Sequence, residues 1–194
     1  MSVDIDYEVP TWSQIFDLLF CQAQKIQNQP YRPDVIVGIA RGGLISARIL
    51  TDLLETPQLE ILQIEFYTGI NQTQLEPTLK QSLSHNLAGK KALIVDDIAD
   101  SGESLKLAQT HLQEQGTKEV KTATLFKKPF SKITPDFYEK QTNHWEVFPW
   151  DTKETLRKII QKNQGKRALN QEVAKLVKAG LPKQLAERLL KDMH

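Results

Sequence analysis

Cys21 is the only cysteine in the 194-residue chain, so no intramolecular disulfide can brace it, and a reducing cytosol is the expected setting. Its expected role is packing on an apolar helix face. No stretch approaches about 18 consecutive apolar residues, which excludes a membrane-spanning helix. Met1 to Tyr7 is acidic and lacks the basic-then-apolar run of a signal peptide. Neither a Walker sequence nor G-x-G-x-x-G occurs, so nucleoside triphosphatase and dinucleotide readings lose their main support. His85, His111, His144 and His194 show no metal-ligand spacing. Nor can a Ser/His/Asp arrangement be argued from the order of residues.

Hydrophobic residues make up 40% of the chain and charged residues 25%, enough for a packed core and against wholesale disorder. The net charge of +1 hides an asymmetry: residues 152–194 carry 11 Lys and Arg against 4 Asp and Glu. This basic tail suggests a separate C-terminal element, and solvated amphipathic helices account for it more simply than a partner-binding surface.

Thr11-Trp12-Ser13-Gln14 has capping-box spacing, and Trp12, Ile15, Phe16, Leu19, Phe20, Ala23 and Ile26 follow at helical intervals. Pro30 and Pro33 lead into Asp34 to Ile39, which reads as a buried strand, and Leu44 to Leu54 reads as a helix. Leu59 to Tyr67, Lys91 to Val95 and Val120 to Phe126 are further strands, with a helix from about Glu103 to Gln115. Residues 68–88 read as a mobile polar loop and 127–151 as a small irregular subdomain. Helices are expected at 152–163, 169–179 and 182–192. Alternating strands and helices predict an α/β fold, an open and mostly parallel twisted sheet flanked by helices. The expected division is a domain over 1–151, with a hood at about 127–151, and a helical extension over 152–194.

In such sheets ligands sit beyond the carboxyl ends of the strands. Ala40-Arg41-Gly42-Gly43 and Asp96-Asp97-Ile98-Ala99-Asp100-Ser101-Gly102-Glu103-Ser104 are the two loops expected there. Carboxylates at a strand end suit sugar hydroxyls, and the turn after them aims N–H groups and hydroxyls at an anion near a helix N-terminus. Gly102, without a Cβ, lets the main chain approach closely. A helix dipole contributes about 0.3–1 kcal/mol to holding an anion, whereas each hydrogen bond to a charged group contributes roughly 1.5–3 kcal/mol. Converging donors therefore outweigh the dipole.

The run from Val95 to Ser104 closely resembles the phosphoribosyl pyrophosphate signature of type I phosphoribosyltransferases, with Ser101 and Ser104 in place of the commoner threonines. The resemblance spans about residues 34–151, is closest to the 6-oxopurine branch, and implies that family's fold. It implies that residues 96–104, Arg41 and Gly42 bind phosphoribosyl pyrophosphate, Asp96 through ribose hydroxyls. Family members often hold a cis peptide in the pyrophosphate loop at Ala40-Arg41-Gly42-Gly43. Glu103 is unusual beside a phosphate, and its side chain is expected to point outward. By the same resemblance Asp100 is catalytic, handling the ring proton of the purine. Lys128 matches the lysine aimed at the exocyclic oxygen of the base, although Lys127 is adjacent and only one of the pair can serve.

Trp145-Glu146-Val147-Phe148-Pro149-Trp150-Asp151 resembles the base-binding end of bacterial xanthine–guanine enzymes, with Trp145 stacking on the purine. Tyr67 matches the base of the closing loop, where Phe66 replaces the usual serine. Mg²⁺ is the implied cofactor, with Asp97 and Asp151 as its carboxylates. The implied partners are the donor sugar, a purine base (hypoxanthine, guanine or xanthine) and further copies of the chain as a homodimer or higher oligomer. Neither a membrane nor nucleic acid is an expected partner. A regulator that senses the same sugar and binds nucleic acid through the tail, or a transferase for another base, are the alternatives.

Overall fold

The computed structural model describes residues 6–68, 75–162 and 166–193. In chain order the elements are β1 (Tyr7–Glu8), α1 (Trp12–Gln27), β2 (Val35–Ala40), α2 (Gly43–Leu53), β3 (Leu59–Thr68), β4 (Leu75–Gln81) and β5 (Lys91–Ala99). Next come α3 (Glu103–Glu114), β6 (Glu119–Lys127), β7 (Phe137–Gln141), β8 (Trp145–Glu146), α4 (Thr152–Lys162), α5 (Lys166–Lys178) and α6 (Lys183–Asp192). They form two compact units: Phe16–Thr142, and the described residues of Met1–Ile15 with Asn143–His194.

The larger unit is built on a six-stranded sheet of order β4-β3-β2-β5-β6-β7, parallel except for the β3–β4 pairing. Side chains alternate across a strand, so each strand serves both faces. Val35, Val37 and Ile39 join Leu62, Ile64, Ala92 and Ile94 in a buried cluster with Leu105, Ala108 and Leu112 of α3. The intervening Gly38 turns the other way, toward α2, where an added Cβ would lie 2.9 Å from that of Ala47. Burial on both faces explains why β2 and β5 read as continuous apolar runs rather than alternating ones.

Helix α1 begins with the expected capping box: Gln14 N donates to Thr11 Oγ1 at 3.2 Å and Thr11 N to Gln14 Oε1 at 2.8 Å. Its apolar residues do not share one face. Ile15, Leu19, Ala23 and Ile26 are buried, whereas Trp12, Phe16 and Phe20 are 55%, 49% and 47% exposed. Each residue advances about 100° round a helix, which sets the aromatic stripe beside the buried one. Cys21, two steps beyond Leu19, falls on the far side. It is exposed, contrary to the packing role expected of it.

Two further expectations change. Within the supposed loop 68–88, Leu75–Gln81 is an edge strand antiparallel to β3, and residues 69–74 lie outside the described chain. Pro77 is tolerated there because an edge strand has one side without a ladder to fill. Phe137–Gln141, placed in an irregular subdomain, is instead the outermost strand of the large sheet, parallel to β6.

In the smaller unit β1 and β8 form a parallel pair, Tyr7 opposite Trp145. Val147, Leu156, Ile159, Leu176, Leu181 and Ala186 make its buried cluster. The phenol of Tyr7 donates to Glu172 Oε2 at 2.7 Å, and burial together with that carboxylate raises the phenol's pKa. No described helix is long and apolar enough to cross a membrane.

Leu112 is fully buried, so Leu112→Ala is expected to lower the unfolding free energy by about 2–5 kcal/mol in urea denaturation. Cys21→Ser should change it by less than about 0.5 kcal/mol. A cost for Cys21→Ser comparable to that of Leu112→Ala would contradict the exposure described for α1.

Candidate functional site

The strand order reverses between β2 and β5: α2 carries the chain outward to β3 on one side, and α3 carries it to β6 on the other. Such a reversal leaves a crevice at the carboxyl ends of the two central strands. Both candidate loops end there. The Ala40–Arg41 peptide is cis, as the resemblance implies. Gly42 lies against Asp97, where an added Cβ would be 2.6 Å from the carboxyl carbon. Gly43 lies against β5, where its Cβ would meet Asp96 Cα at 2.8 Å. At Gly43 the obstacle is backbone, so no side chain fits; at Gly42 a side chain would have to displace the Asp97 carboxylate.

Asp96 and Asp97 were expected to follow β5, but the strand runs on through them to Ala99. The reason lies in its neighbours. Pairing with β2 stops at Gly38↔Val95, while pairing with β6 continues through Ile98↔Phe126 and Ala99↔Lys127. From Asp96 onward one edge of β5 is therefore released from the sheet while the other still holds it in line. The carboxylates sit on a rigid strand, not on a loop tip.

Beyond Ala99 the chain turns through Asp100-Ser101-Gly102 into α3. Gly102 takes φ +84°, a left-handed conformation that suits glycine, and its open side lies 2.9 Å from Ile133 N and Ser131 Oγ as judged by an added Cβ. The cap positions of α2 and α3 are Gly42 and Gly102, which have no side chain to cap with; Glu103 N donates instead to Ser101 Oγ at 3.3 Å, and Gly43 N to the Asp96 carboxyl. The other first-turn N–H groups lack partners inside their own helix and offer donors to an anion. A cavity of about 840 Å³ opens here, lined by residues 96–105 together with Phe66, Glu76, Pro77 and Lys132.

The charges are unevenly tolerated. Burial, then repulsion from Asp97, pushes the Asp96 carboxyl well above its ordinary range. Asp97 N donates to Asp96 Oδ1 at 2.9 Å, which offsets only part of that cost. Glu103 behaves oppositely: a 2.6 Å hydrogen bond and ion pair to Lys132 holds its carboxylate below the ordinary range. Its side chain turns to that lysine, and both residues line the cavity. Among the described residues no group of three or more His, Cys, Asp or Glu side chains could hold a metal. Asp96 and Asp97 together supply part of a coordination shell at most.

Asp100 is exposed at the crest of the turn. The Lys127–Lys128 ambiguity narrows, because Lys127 Nζ lies 5.7 Å from the ring centroid of Tyr138. Lys128 is buried, and its N–H donates to Ala99 O at 2.9 Å, tying it to the end of β5. Tyr67 lies in β3 opposite Glu76. In the smaller unit Trp145 is 48% exposed, so its indole does not plug a core. Phe148 and Trp150 stack at 4.8 Å, and Asp151 N donates to Phe148 O at the start of α4.

Glu76, Pro77, Leu105 and Lys132 line the cavity without having been expected there. Glu76 and Pro77 belong to β4, where the alternation of Pro77 and Leu79 with Thr78 and Lys80 was the available signal. Phe66 lines the cavity as the residue that departs from the usual serine. Lys132 had no signal, being far along the chain from the turn it adjoins.

Residues 11–155 match the family described as phosphoribosyl transferase domain. The chain is 34% identical over 152 residues to a xanthine-guanine phosphoribosyltransferase of Gluconobacter oxydans, covering 76% of this chain and 86% of that protein. A second xanthine-guanine phosphoribosyltransferase, from Nitratidesulfovibrio vulgaris, is 30% identical over 145 residues, covering 73% and 83%. The crystal structure of a purine phosphoribosyltransferase from Pyrococcus horikoshii superposes with TM-score 0.69 at 36% identity, covering 75% of this chain and 95% of that one.

A carboxyl held above its ordinary value of 3.8 binds its proton more tightly in the folded chain than in the unfolded one. The stability that Asp96 contributes is therefore complete below about 3.8 and is lost as pH rises through its raised folded value. Asp96→Asn should consequently gain on the unsubstituted protein over the pH window that opens above about 4, read by urea denaturation at each pH. A difference that stays constant across that window would place the carboxyl at its ordinary value.

Proposed function

The chain belongs to the phosphoribosyl transferase domain family, and on that premise we propose that it joins a 6-oxopurine to the ribose of phosphoribosyl pyrophosphate. The bases are hypoxanthine, guanine or xanthine, and the products a nucleoside monophosphate and pyrophosphate, as in purine salvage. The observation that carries this reading is the crevice between β2 and β5, where two helix N-termini, each led by a glycine, flank adjacent carboxylates. A phosphorylated sugar needs both features: N–H donors for its phosphates and carboxyl groups for its hydroxyls.

In this reading the first turn of α3 and the Ser101 and Ser104 hydroxyls take the sugar's phosphate, and Arg41 and Gly42 take the pyrophosphate. Asp96 binds the ribose hydroxyls. As the bond from ribose to pyrophosphate breaks, the sugar gains oxocarbenium character. Asp100, exposed at the crest, stabilises that charge and accepts the proton the purine loses. Lys128 donates to the exocyclic oxygen, which favours a carbonyl over an amino group. Trp145 offers a flat indole for stacking.

Mg²⁺ would neutralise the pyrophosphate leaving group. Such an ion takes few protein carboxylates and the rest of its ligands from substrate and water, which fits a site with no protein-only cage among the described residues. Asp97 is the first candidate to hold it, and Asp151 the second. The repulsion between Asp96 and Asp97 is the local reason a cation is favoured there. The exposed stripe of Trp12, Phe16 and Phe20 supports association of copies of the chain, and the single free cysteine suits a reducing cytoplasm.

Purified protein with Mg²⁺ and phosphoribosyl pyrophosphate should convert at least one 6-oxopurine to its nucleotide, with adenine and orotate inert. Asp100→Asn should lower kcat by roughly 10²-fold or more with little change in KM. Lys128→Ala should narrow the preference for 6-oxopurines over adenine. Unchanged turnover in Asp100→Asn would remove the acid–base assignment, and turnover of adenine or orotate alone would remove the base assignment.

A further inference from the structure

We infer that Lys132, which belongs to neither strand nor signature turn, is a phosphate-positioning residue held ready by Glu103, and that the pair sets affinity for the phosphorylated sugar. This deepens the proposed function and rests on it. The starting anomaly is Glu103. A carboxylate in the first turn of α3 complements the helix N-terminus, yet the same turn is the one that would receive a phosphate, and like charges oppose each other there.

Lys132 resolves the conflict, and its position is fixed by the backbone. Its N–H donates to Ser101 O at 3.0 Å, and Lys128 N donates to Ala99 O at 2.9 Å. Between those two ties the open side of Gly102 lies 2.9 Å from Ile133 N as judged by an added Cβ. Residues 128–133 are thereby laid along the signature turn, so the lysine stem starts beside it. Its ammonium pairs with Glu103 Oε1 at 2.6 Å, and both residues line the same cavity.

The pair does little for the fold. The Lys132 side chain is 71% exposed, and ion pairs so open to water contribute little to stability. An ammonium has three N–H donors, so it can keep Glu103 and also take a phosphate oxygen. Glu103 stays ionised, held below its ordinary range first by the Lys132 hydrogen bond and then by the charges of Lys132 and Lys106. It therefore orients the ammonium at the cost of some repulsion toward the ligand. A residue of this kind acts on binding and leaves the chemical step alone.

Two measurements separate this inference from the function it builds on. The first is turnover of a 6-oxopurine by the unsubstituted protein, whose absence would sink the proposed function. The second is binding of ribose 5-phosphate by calorimetry at low salt, which needs no turnover. Lys132→Ala is expected to weaken ribose 5-phosphate roughly tenfold and to raise KM for phosphoribosyl pyrophosphate by a similar factor, with kcat within about twofold. Lys132→Arg should keep most of the affinity, and Glu103→Gln should tighten binding severalfold. The Lys132→Ala effect should shrink in about 0.5 M salt, as a charge contact in water must. Unchanged ribose 5-phosphate affinity in Lys132→Ala, or a fall in kcat with KM unmoved, would overturn the inference. Thermal unfolding of Lys132→Ala and Lys132→Arg at the same temperature as the parent shows that the comparison is between folded proteins.

Discussion

Two chain segments can share the crevice between β2 and β5 because neither Gly42 nor Gly43 carries a side chain. That close approach governs the rest of the site. It lets the N-terminus of α2 press against β5, with Gly43 beside Asp96 and Gly42 beside the Asp97 carboxyl. At the start of α2 the Gly43 N–H donates to the Asp96 carboxyl, which joins that helix end directly to the strand carboxylates. Dense packing makes the junction nearly all-or-none at Gly43, where a single methyl meets backbone, whereas at Gly42 it would push the Asp97 carboxylate aside.

The same junction creates an electrostatic demand. Adjacent carboxyl groups on a strand that is half enclosed cannot both ionise at ordinary cost, and the Asp96 carboxyl is pushed upward. A positive charge or a set of hydroxyl donors relieves it, and a phosphorylated sugar with a divalent ion brings both. The three lysines around the site divide the remaining work. Lys127 is spent on the face of Tyr138, Lys128 is tied by its backbone to Ala99, and Lys132 answers Glu103. Neighbours in sequence thus serve different chemistry because β6 ends between Lys127 and Lys128.

Most of the sheet and the signature turn could be read from the chain, because buried central strands leave continuous apolar runs and the turn carries a dense pattern of Asp, Ser and Gly. The cis peptide at Ala40–Arg41 and the reciprocal Thr11–Gln14 cap came out as expected. What escaped was information held by neighbours. The extension of β5 to Ala99 depends on how far β6 outlasts β2, which no local window contains. Strand β4 carries Pro77 and polar residues on a sheet edge, where burial imposes little pattern. Helix α1 has more apolar residues than one stripe can bury, so periodicity alone could not say that Phe16 and Phe20 stay outside with Cys21. Lys132 reaches the site through contacts between distant segments, and a lone lysine in a loop has no signature.

The smaller unit is assembled from the two ends of the described chain. Tyr7 pairs with Trp145 in the sheet and donates its phenol to Glu172, 165 residues further on. At ribosomal rates of about 5–20 residues per second, roughly ten to thirty seconds separate synthesis of those two partners. During that interval all the strands of the large sheet can emerge and pair, while Tyr7 and Val9 wait without the helices that later cover them. Translation order thus makes β1 one of the last described strands to find its place. A nascent chain halted before α5 would leave Tyr7 and Val9 as a handle for chaperones or proteases.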